Sequence, residues 1–157
     1  MKRLSGNTLD LEIVSIGGLP LFNGDLEEGG DPEEVKRFKD LIKHADGVFI
    51  VTPEYSRGMP GVLKNALDWA GSITHENVLD KKTAAVIGAS PGAQGTALAQ
   101  VQVKQTLAAC GSFVMSQPEV FIGTAHKRLG DNKVTDEKTI EVLESCIASF
   151  AEWTACF

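Results

Sequence analysis

The amino-acid sequence predicts an α/β fold built around a parallel β-sheet. Two apolar runs, at residues 47–52 and 83–89, have the length and composition of strands that are covered on both faces. Each run is followed by a loop rich in glycine and proline, and then by a helical pattern of apolar residues. Strands that alternate with helices favour a parallel sheet with right-handed crossovers, and 157 residues suit a single domain.

Before the first of these runs the pattern is weaker. Residues 9–16 alternate apolar and acidic side chains, which predicts a strand with one solvated face near a sheet edge. Residues 17–30 form a connection rich in glycine and acids, and such a long loop is uncommon unless it packs beside a site or an interface. Asp31 and the proline and acids after it predict a helix start, and Gly47 is expected to end that helix.

The loop after the first apolar run is the best candidate for a binding site. Thr52 ends the run, and Pro53 cannot donate a ladder hydrogen bond, so the chain must leave the sheet there. Pro60 suits the first turn of a helix that continues to Ala70. Residues 54–58 therefore lie at the carboxyl end of a parallel strand, where open α/β sheets bind their ligands.

The rest of the chain repeats this alternation. The second apolar run leads through a Gly/Pro loop into a helix, and Pro118 divides the strand that follows. The predicted order is a loop at 90–95, a helix at 96–109, strand segments at 113–115 and 119–122, a polar connection at 125–133, and a last helix that opens at 135–137 and runs to 154. Trp69 is expected either in the core or in packing between subunits, and Trp153 and Phe157 could extend an apolar face toward a neighbouring subunit.

Composition limits the possible functions. Apolar residues make up 43% and charged residues 23% of the chain, as in ordinary soluble domains. A net charge of −6 argues against nucleic acid or an anionic membrane as the main partner. No apolar run approaches the about 20 residues that span a bilayer. The three cysteines form no CxxC pair and the three histidines are scattered, so no metal site is predicted and a cytoplasmic location is favoured.

Residues 52–70, TPEYSRGMPGVLKNALDWA, resemble the signature of the NADPH-dependent FMN reductases, a family that includes quinone, chromate and azo-dye reductases. Three further stretches are similar to motifs of the same family and occur in the family's order: LPLFNGDLE at 19–27, GASPGAQG at 88–95 and QPEVFIG at 117–123. The resemblance implies a flavodoxin-like three-layer sandwich with a parallel sheet. It also implies an FMN-dependent oxidoreductase, using NADPH or NADH, that reduces flavin, quinones or similar small acceptors by hydride transfer.

The resemblance implies roles for both loops. It places Pro53, Glu54, Tyr55 and Ser56 beside the isoalloxazine ring, and Ser90, Pro91 and Gly92 against its other side. Ser56 stands where the family usually has asparagine. Arg57 is either a contact for the flavin or a donor phosphate, or an ordinary solvated arginine. Glu54 is alternatively a structural carboxylate that bonds loop amides or the Lys64 region. No catalytic acid or base is predicted, because the cofactor performs the chemistry. By resemblance, a homodimer or homotetramer is expected.

In one respect the chain departs from the family. Members begin with a strand and a phosphate-binding loop of the type GSxRxxSxN, whereas residues 1–7 here resemble the tail of the first helix, and residues 9–16 the second strand. The fold is therefore expected to be N-terminally shortened by about 25 residues, judged from typical element lengths. Three explanations stay open: a start inside a longer reading frame, a natural short form, or a different arrangement in which these motifs serve only as core.

Two expectations follow from this departure. Unpaired ladder groups are costly, so we expect residues 9–16 to move in and pair directly with residues 48–52. The rival function is a non-catalytic flavodoxin-like binding or assembly module that lost FMN together with its phosphate loop. Because a backbone nest and a helix N-terminus supply much of the grip on a phosphate, we expect a lower FMN affinity than in full-length relatives.

Overall fold

The computed structural model describes residues 1–131 and 133–157. The helices are α1 (Lys2–Ser5), α2 (Glu33–His44), α3 (Gly61–Ala70), α4 (Ala97–Ala109) and α5 (Glu137–Thr154), and short 3-10 turns occur at Gly24–Leu26 and Ala125–Lys127. The strands are β1 (Gly47–Thr52), β2 (Thr83–Ala89), β3 (Phe113–Val114), β4 (Val120–Ile122), β5 (Leu129–Gly130) and β6 (Lys133–Val134).

Strand β2 is the centre of the main sheet. It pairs in parallel with β1 along its length, from Gly47 opposite Thr83 to Thr52 opposite Gly88. On its other side β3 pairs with the beginning of β2 and β4 with its end, so a broken strand forms that edge. The prediction of a parallel α/β sheet is confirmed, and the interruption lies at the predicted proline.

Helices cover both faces of this sheet. Ala84 and Val86 of β2 face a core cluster that includes residues of α2, α3 and α4. Their neighbours Ala85 and Ile87 face a second cluster formed with α5 and α1. This alternation places a helical layer on each side, so the chain has three layers as predicted.

The last helix begins where the sequence predicts. The Asp136 carboxylate accepts hydrogen bonds from the Thr139 amide at 3.0 Å and the Thr139 hydroxyl at 2.6 Å, which caps α5. These bonds stabilise the charged carboxylate, and they hold the pKa of Asp136 below its usual value. On the inner face of α5, Phe150 packs edge-on against Phe49 of β1 at 5.2 Å, which joins the helix to the sheet.

The strand predicted at residues 9–16 does not form. In the part of the chain that the structure describes, this segment joins no β-ladder, and no strand lies beside the outer edge of β1. The expected pairing with residues 48–52 is therefore wrong. Leu9 packs against the cluster beneath α5, whereas Ile16 packs against the cluster beneath α3. Because its ends are attached to opposite helical layers, the segment passes from one layer to the other instead of running along β1.

The connection that follows, 17–30, is fastened to α3. The carbonyl of Pro20 accepts hydrogen bonds from Trp69 Nε1 at 2.8 Å and from Asn65 Nδ2 at 2.9 Å. The Phe22 amide donates to Asn65 Oδ1 at 2.7 Å, and the Phe22 ring packs edge-on against Trp69. Trp69 is fully buried, which confirms its predicted place in the core.

The end of this connection contains a buried group of charges. Lys39 of α2 is 1% exposed, and its Nζ lies 2.8 Å from Asp31 Oδ2 and 3.8 Å from Glu27 Oε1. The hydroxyls of Ser72 and Thr74 also bond to Glu27 Oε2. Asp31 therefore pairs with Lys39, and Pro32 takes the capping position of α2 that the sequence predicts for Asp31.

The C-terminal aromatic residues pack within the chain. Trp153 Nε1 donates to the carbonyl of Phe113 at 2.9 Å, and Phe157 stacks on the Phe113 ring at 4.2 Å. Trp153 is thus half-buried against β3 while Phe157 is 63% exposed, and an apolar face that the two extend toward a neighbouring subunit stays a prediction. The polar connection predicted at 125–133 contains a 3-10 turn and the small β5–β6 hairpin, and its Asn132 lies outside the described residues. No helix in the described ranges is both long and apolar enough to cross a membrane.

Candidate functional site

The register of β1 and β2 brings the two predicted loops to one edge of the sheet. Thr52 lies opposite Gly88, so both strands end at the same level. Residues 53–58 leave from the end of β1, and residues 90–95 leave from the end of β2. The eight predicted residues, which are Pro53, Glu54, Tyr55, Ser56, Arg57, Ser90, Pro91 and Gly92, therefore lie on neighbouring loops at the carboxyl edge.

A tight turn forms the outer part of the first loop. The Tyr55 amide donates to the Gly58 carbonyl at 3.1 Å, and the Gly58 amide donates to the Tyr55 carbonyl at 3.0 Å. Between them, Ser56 and Arg57 have φ angles of 50° and 62°. Two successive positive φ values define a type I′ turn, which usually contains asparagine and glycine. Serine and arginine adopt this conformation at a cost of about 1–2 kcal/mol each.

Helix α4 holds this turn from both ends. Before the turn, Glu54 Oε2 accepts hydrogen bonds from the amides of Leu98 and Ala99, each at 3.0 Å. After it, the Met59 amide donates to Gln102 Oε1 at 3.0 Å. The Glu54 carboxylate thus bonds free amides in the first turn of a helix, where the helix dipole favours a negative charge. Of the two roles that the sequence left open for Glu54, its contacts match the structural one, although its partners are amides of α4.

The second loop is fastened to the chain that follows β4. The Ser90 amide donates to the Ile122 carbonyl, and the Ser90 carbonyl accepts from the Ala125 amide, both at 3.0 Å. The Thr124 amide donates to the Gly92 carbonyl, also at 3.0 Å. Gly95 has a φ of 63°, and a Cβ there would lie 2.9 Å from the Phe121 carbonyl carbon. The loop is therefore stiff, and glycine is required at its end.

Several groups on these loops remain available for a ligand. Within the described ranges the amides of Ser56 and Arg57 donate to no protein acceptor, and the same holds for the amides of Ala93 and Gln94. The Tyr55 ring is 65% exposed. An aromatic surface beside free backbone donors suits a flat ligand that is apolar in the middle and carries acceptors along one edge. The residues present therefore fit a flavin ring.

The site is open on this chain. A cavity of about 480 Å³ lies next to the turn, between α3 and α4, and it is lined by Met59, Gly61, Lys64, Gln102, Gln105 and Thr106. A second, of about 400 Å³, lies between residues 12–19 and α2. None of the eight predicted residues lines either cavity. Six of the eight are exposed and the other two are half-buried, so the two loops form an open surface.

The sequence did not predict that α4 takes part in this site. Nothing in the pattern marks Gln102, since an amide side chain on a helix ordinarily faces water. Gly58 is the only local signal, because a Cβ at this position would lie 3.1 Å from Gln102 Oε1. Thiol chemistry is not favoured for the two partly or fully buried cysteines, since burial raises the pKa of both the Cys110 and the Cys146 thiol.

Comparisons with known proteins agree with this geometry. The family model described as NADPH-dependent FMN reductase matches residues 1–127. A 2-hydroxy-1,4-benzoquinone reductase from Burkholderia sp. is 41% identical over 154 residues, which cover 98% of this chain and 84% of that protein. A quinone reductase from Pseudomonas putida is 39% identical over 153 residues, covering 98% of this chain and 82% of that protein.

A solved structure is similar over the same extent. It is that of FerB, a flavoenzyme NAD(P)H:(acceptor) oxidoreductase from Paracoccus denitrificans. The two share 42% sequence identity with a TM-score of 0.88, and the match covers 98% of this chain and 85% of FerB. The fold described here is thus also the fold of a known flavoenzyme. On these matches, the chain belongs to the NADPH-dependent FMN reductase family.

Proposed function

We propose that this chain is an FMN-dependent NAD(P)H oxidoreductase that delivers electrons to quinones or similar small acceptors. The observation that carries the proposal is the stiff turn at the end of β1, where free amides and an exposed aromatic ring meet beside a second stiff loop. The relatives are named as quinone and FMN reductases, which supports this activity. The same names disfavour the rival hypothesis that the chain is a non-catalytic module.

The residues of the two loops would divide the work of binding. Tyr55 and Pro53 cover the apolar part of the ring, while the amides of Ser56 and Arg57 donate to acceptors on its pyrimidine edge. Ser90, Pro91 and Gly92 form the opposite wall, where the small residues permit close approach. FMN, when bound, supplies the redox chemistry by accepting a hydride and releasing two electrons. The protein's task is to bind and orient the ring and to exclude water.

Arg57 suits a further role as a contact for the nicotinamide donor. Its side chain is exposed, and it forms no ion pair within the described ranges. A guanidinium at the rim of the site can pair with a phosphate in bidentate fashion. In a chain with a net charge of −6, such a local positive charge would help to attract an anionic dinucleotide.

We also propose that the 157 residues act as one domain in the cytoplasm and that two or four copies assemble. The exposure of the Tyr55 ring supports assembly, because a second copy could cover it. Val62 of α3 and Leu98 and Val101 of α4 are exposed apolar side chains near the turn, as expected of a surface that another subunit covers. Light scattering of the wild type and of Val101→Glu would test this, and a monomeric wild type would contradict it.

An FMN titration followed by flavin fluorescence tests the main proposal. Tyr55→Ser removes the exposed ring of the turn, and we expect it to weaken the FMN Kd about tenfold, in line with the loss of one aromatic contact. Phe157→Ser is the control, since that ring is similarly exposed, at 63%, but lies at the C-terminus. Oxidation of NADPH and NADH with benzoquinone as acceptor should fall in parallel. The proposal fails if the wild type binds no FMN, or if both variants bind it equally.

A further inference from the structure

We propose that Glu54 and Gln102 are positioning residues of the flavin site, and that through them helix α4 sets the geometry of the turn at Tyr55–Gly58. Neither side chain needs to touch the flavin. The inference rests on the function proposed above, and it assigns to α4 a role that the two loops alone do not reveal. It follows from three features of the structure, which are the strain in the turn, the missing cap of α4 and the place of Gln102.

The strained backbone of the turn requires stabilising contacts from outside the turn. Ser56 and Arg57 both have positive φ, although neither is the glycine or asparagine that adopts such angles readily. Strained backbone of this kind persists only where the surrounding structure determines it. The two mutual hydrogen bonds between Tyr55 and Gly58 close the turn, but they lie within it and do not fix its direction relative to the sheet.

Helix α4 depends on Glu54 for its own N-terminal cap. The side chain of its N-cap residue Thr96 accepts no hydrogen bond from the helix amides, and its first turn contains no acidic residue. The Thr96 hydroxyl accepts instead from the Gln100 side chain at 2.9 Å. Glu54 thus provides, from another element, both the acceptor and the negative charge that the helix end favours. The turn and the helix start stabilise each other.

Gln102 fixes the far end of the turn. Its Oε1 accepts from the Met59 amide, and it lies close enough to Gly58 that a Cβ there would be 3.1 Å away. Helix α4 also follows directly from the second loop, residues 90–95. One rigid helix therefore fixes the distance between the two loops, and with it the width of the space for a flat ring.

The inference predicts which ligand contacts weaken when the hydrogen bond of Gln102 or Glu54 is removed. Gln102→Met keeps the length of the side chain but removes the acceptor, so the turn is expected to relax and the ring contacts to weaken. FMN and riboflavin share the ring and differ in the phosphate. We therefore expect the Kd for each to rise about tenfold, with an unchanged ratio between them. A similar loss is expected for Glu54→Leu.

Two matched variants control for general effects. Gln102→Glu retains an oxygen that can accept from the Met59 amide, and we expect it to bind both flavins within about twofold of the wild type. Gln105→Met makes the same chemical change three residues further along α4, at an exposed side chain that has no hydrogen-bond partner within the described ranges. It should leave both Kd values unchanged. Rescue by the carboxylate would show that the acceptor oxygen of Gln102, and not the shape of its side chain, holds the turn.

A second readout needs no flavin. In the wild type, NMR should show slow exchange of the Met59 amide and, at Ser56 and Arg57, the strong NOE between the amide proton and the Hα of the same residue that positive φ produces. Gln102→Met should speed that exchange and weaken those NOEs. If the turn and the flavin Kd values are the same in both proteins, the inference is overturned. If no flavin binds but the turn changes as expected, the proposed function fails while the role of α4 in shaping the turn stands.

Discussion

The turn at residues 55–58 and the segment 9–16 both lie beside the sheet, and they differ in the contacts that hold them in place. The turn at residues 55–58 contains two strained residues, yet hydrogen bonds within it and two side chains linked to α4 hold it in place. The segment 9–16 has no such strain and an apolar alternation typical of a strand. It nevertheless joins no ladder within the described ranges, and Ile13 is 80% exposed. The difference teaches that the available partner groups, rather than local preference, decide which conformation a segment adopts.

Between these two extremes lies the connection 17–30. It has little regular structure, but both of its ends are held by buried side chains: Trp69 donates to the Pro20 carbonyl, and Lys39 lies beside Glu27. Substitutions in the three regions should therefore have graded effects. Segments held by buried partners should lose stability when a partner is removed, and the exposed middle of residues 9–16 should tolerate change.

The largest effect is expected from Lys39→Met. The carboxylates of Glu27 and Asp31 are each only 4% exposed and would lose the cation that compensates them. Breaking one partner of a buried ionic group costs about 3–5 kcal/mol, because a charge is left unpaired. Urea unfolding measures this loss. Lys43→Met is the control, because Lys43 pairs with Glu76 at the surface, where such pairs contribute about 1 kcal/mol or less. Equal losses in the two variants would contradict the importance of the buried group.

Trp69→Phe should have the next largest effect. The change removes the indole N–H that donates to Pro20, together with part of a fully buried ring. A loss of about 1–2 kcal/mol is expected from one hydrogen bond and a small cavity. Hydrogen exchange should show faster opening around residues 19–22, with no change at residues 53–59. Faster exchange at the turn as well would show that the two regions are coupled.

Ser56→Asn should stabilise the turn. Asparagine adopts positive φ more readily than serine, and it is common at this position of type I′ turns. We expect a gain of about 0.5–1 kcal/mol in the free energy of unfolding, measured by thermal denaturation. Ser116→Asn is the matched control, since this exposed serine has no positive φ. A gain in both variants, or in neither, would contradict the assignment of strain to Ser56.

The smallest effect is expected from Ile13→Lys. Its side chain is largely exposed, so the variant should unfold within about 0.5 kcal/mol of the wild type. Ile16→Lys, at the half-buried end of the same segment, should cost about 1 kcal/mol or more, because Ile16 packs against the cluster beneath α3. If Ile13→Lys is as costly as Ile16→Lys, the segment is packed in solution in a way that the structure does not show.

Much of the fold could be predicted because its signals are local. The apolar run at β2 spans residues 83–89 in both the prediction and the structure, and the capping Asp136 marks the start of α5. The position of the candidate site was also predictable, because loops at the carboxyl ends of neighbouring parallel strands must lie side by side. The family motif at residues 52–70 then indicated which ligand such a site takes.

The sequence by itself thus determined the parallel sheet, the two helical layers and the two loops at its edge, since periodicity and turn residues act over a few positions. Tertiary structure alone decided that Glu54 caps α4, a helix 44 residues further along the chain, and that Lys39 is buried with Glu27 and Asp31. It also decided that residues 9–16 have no ladder partner. A hydrogen bond or an ion pair needs a particular partner at a particular place, and no local pattern specifies which distant group will be there.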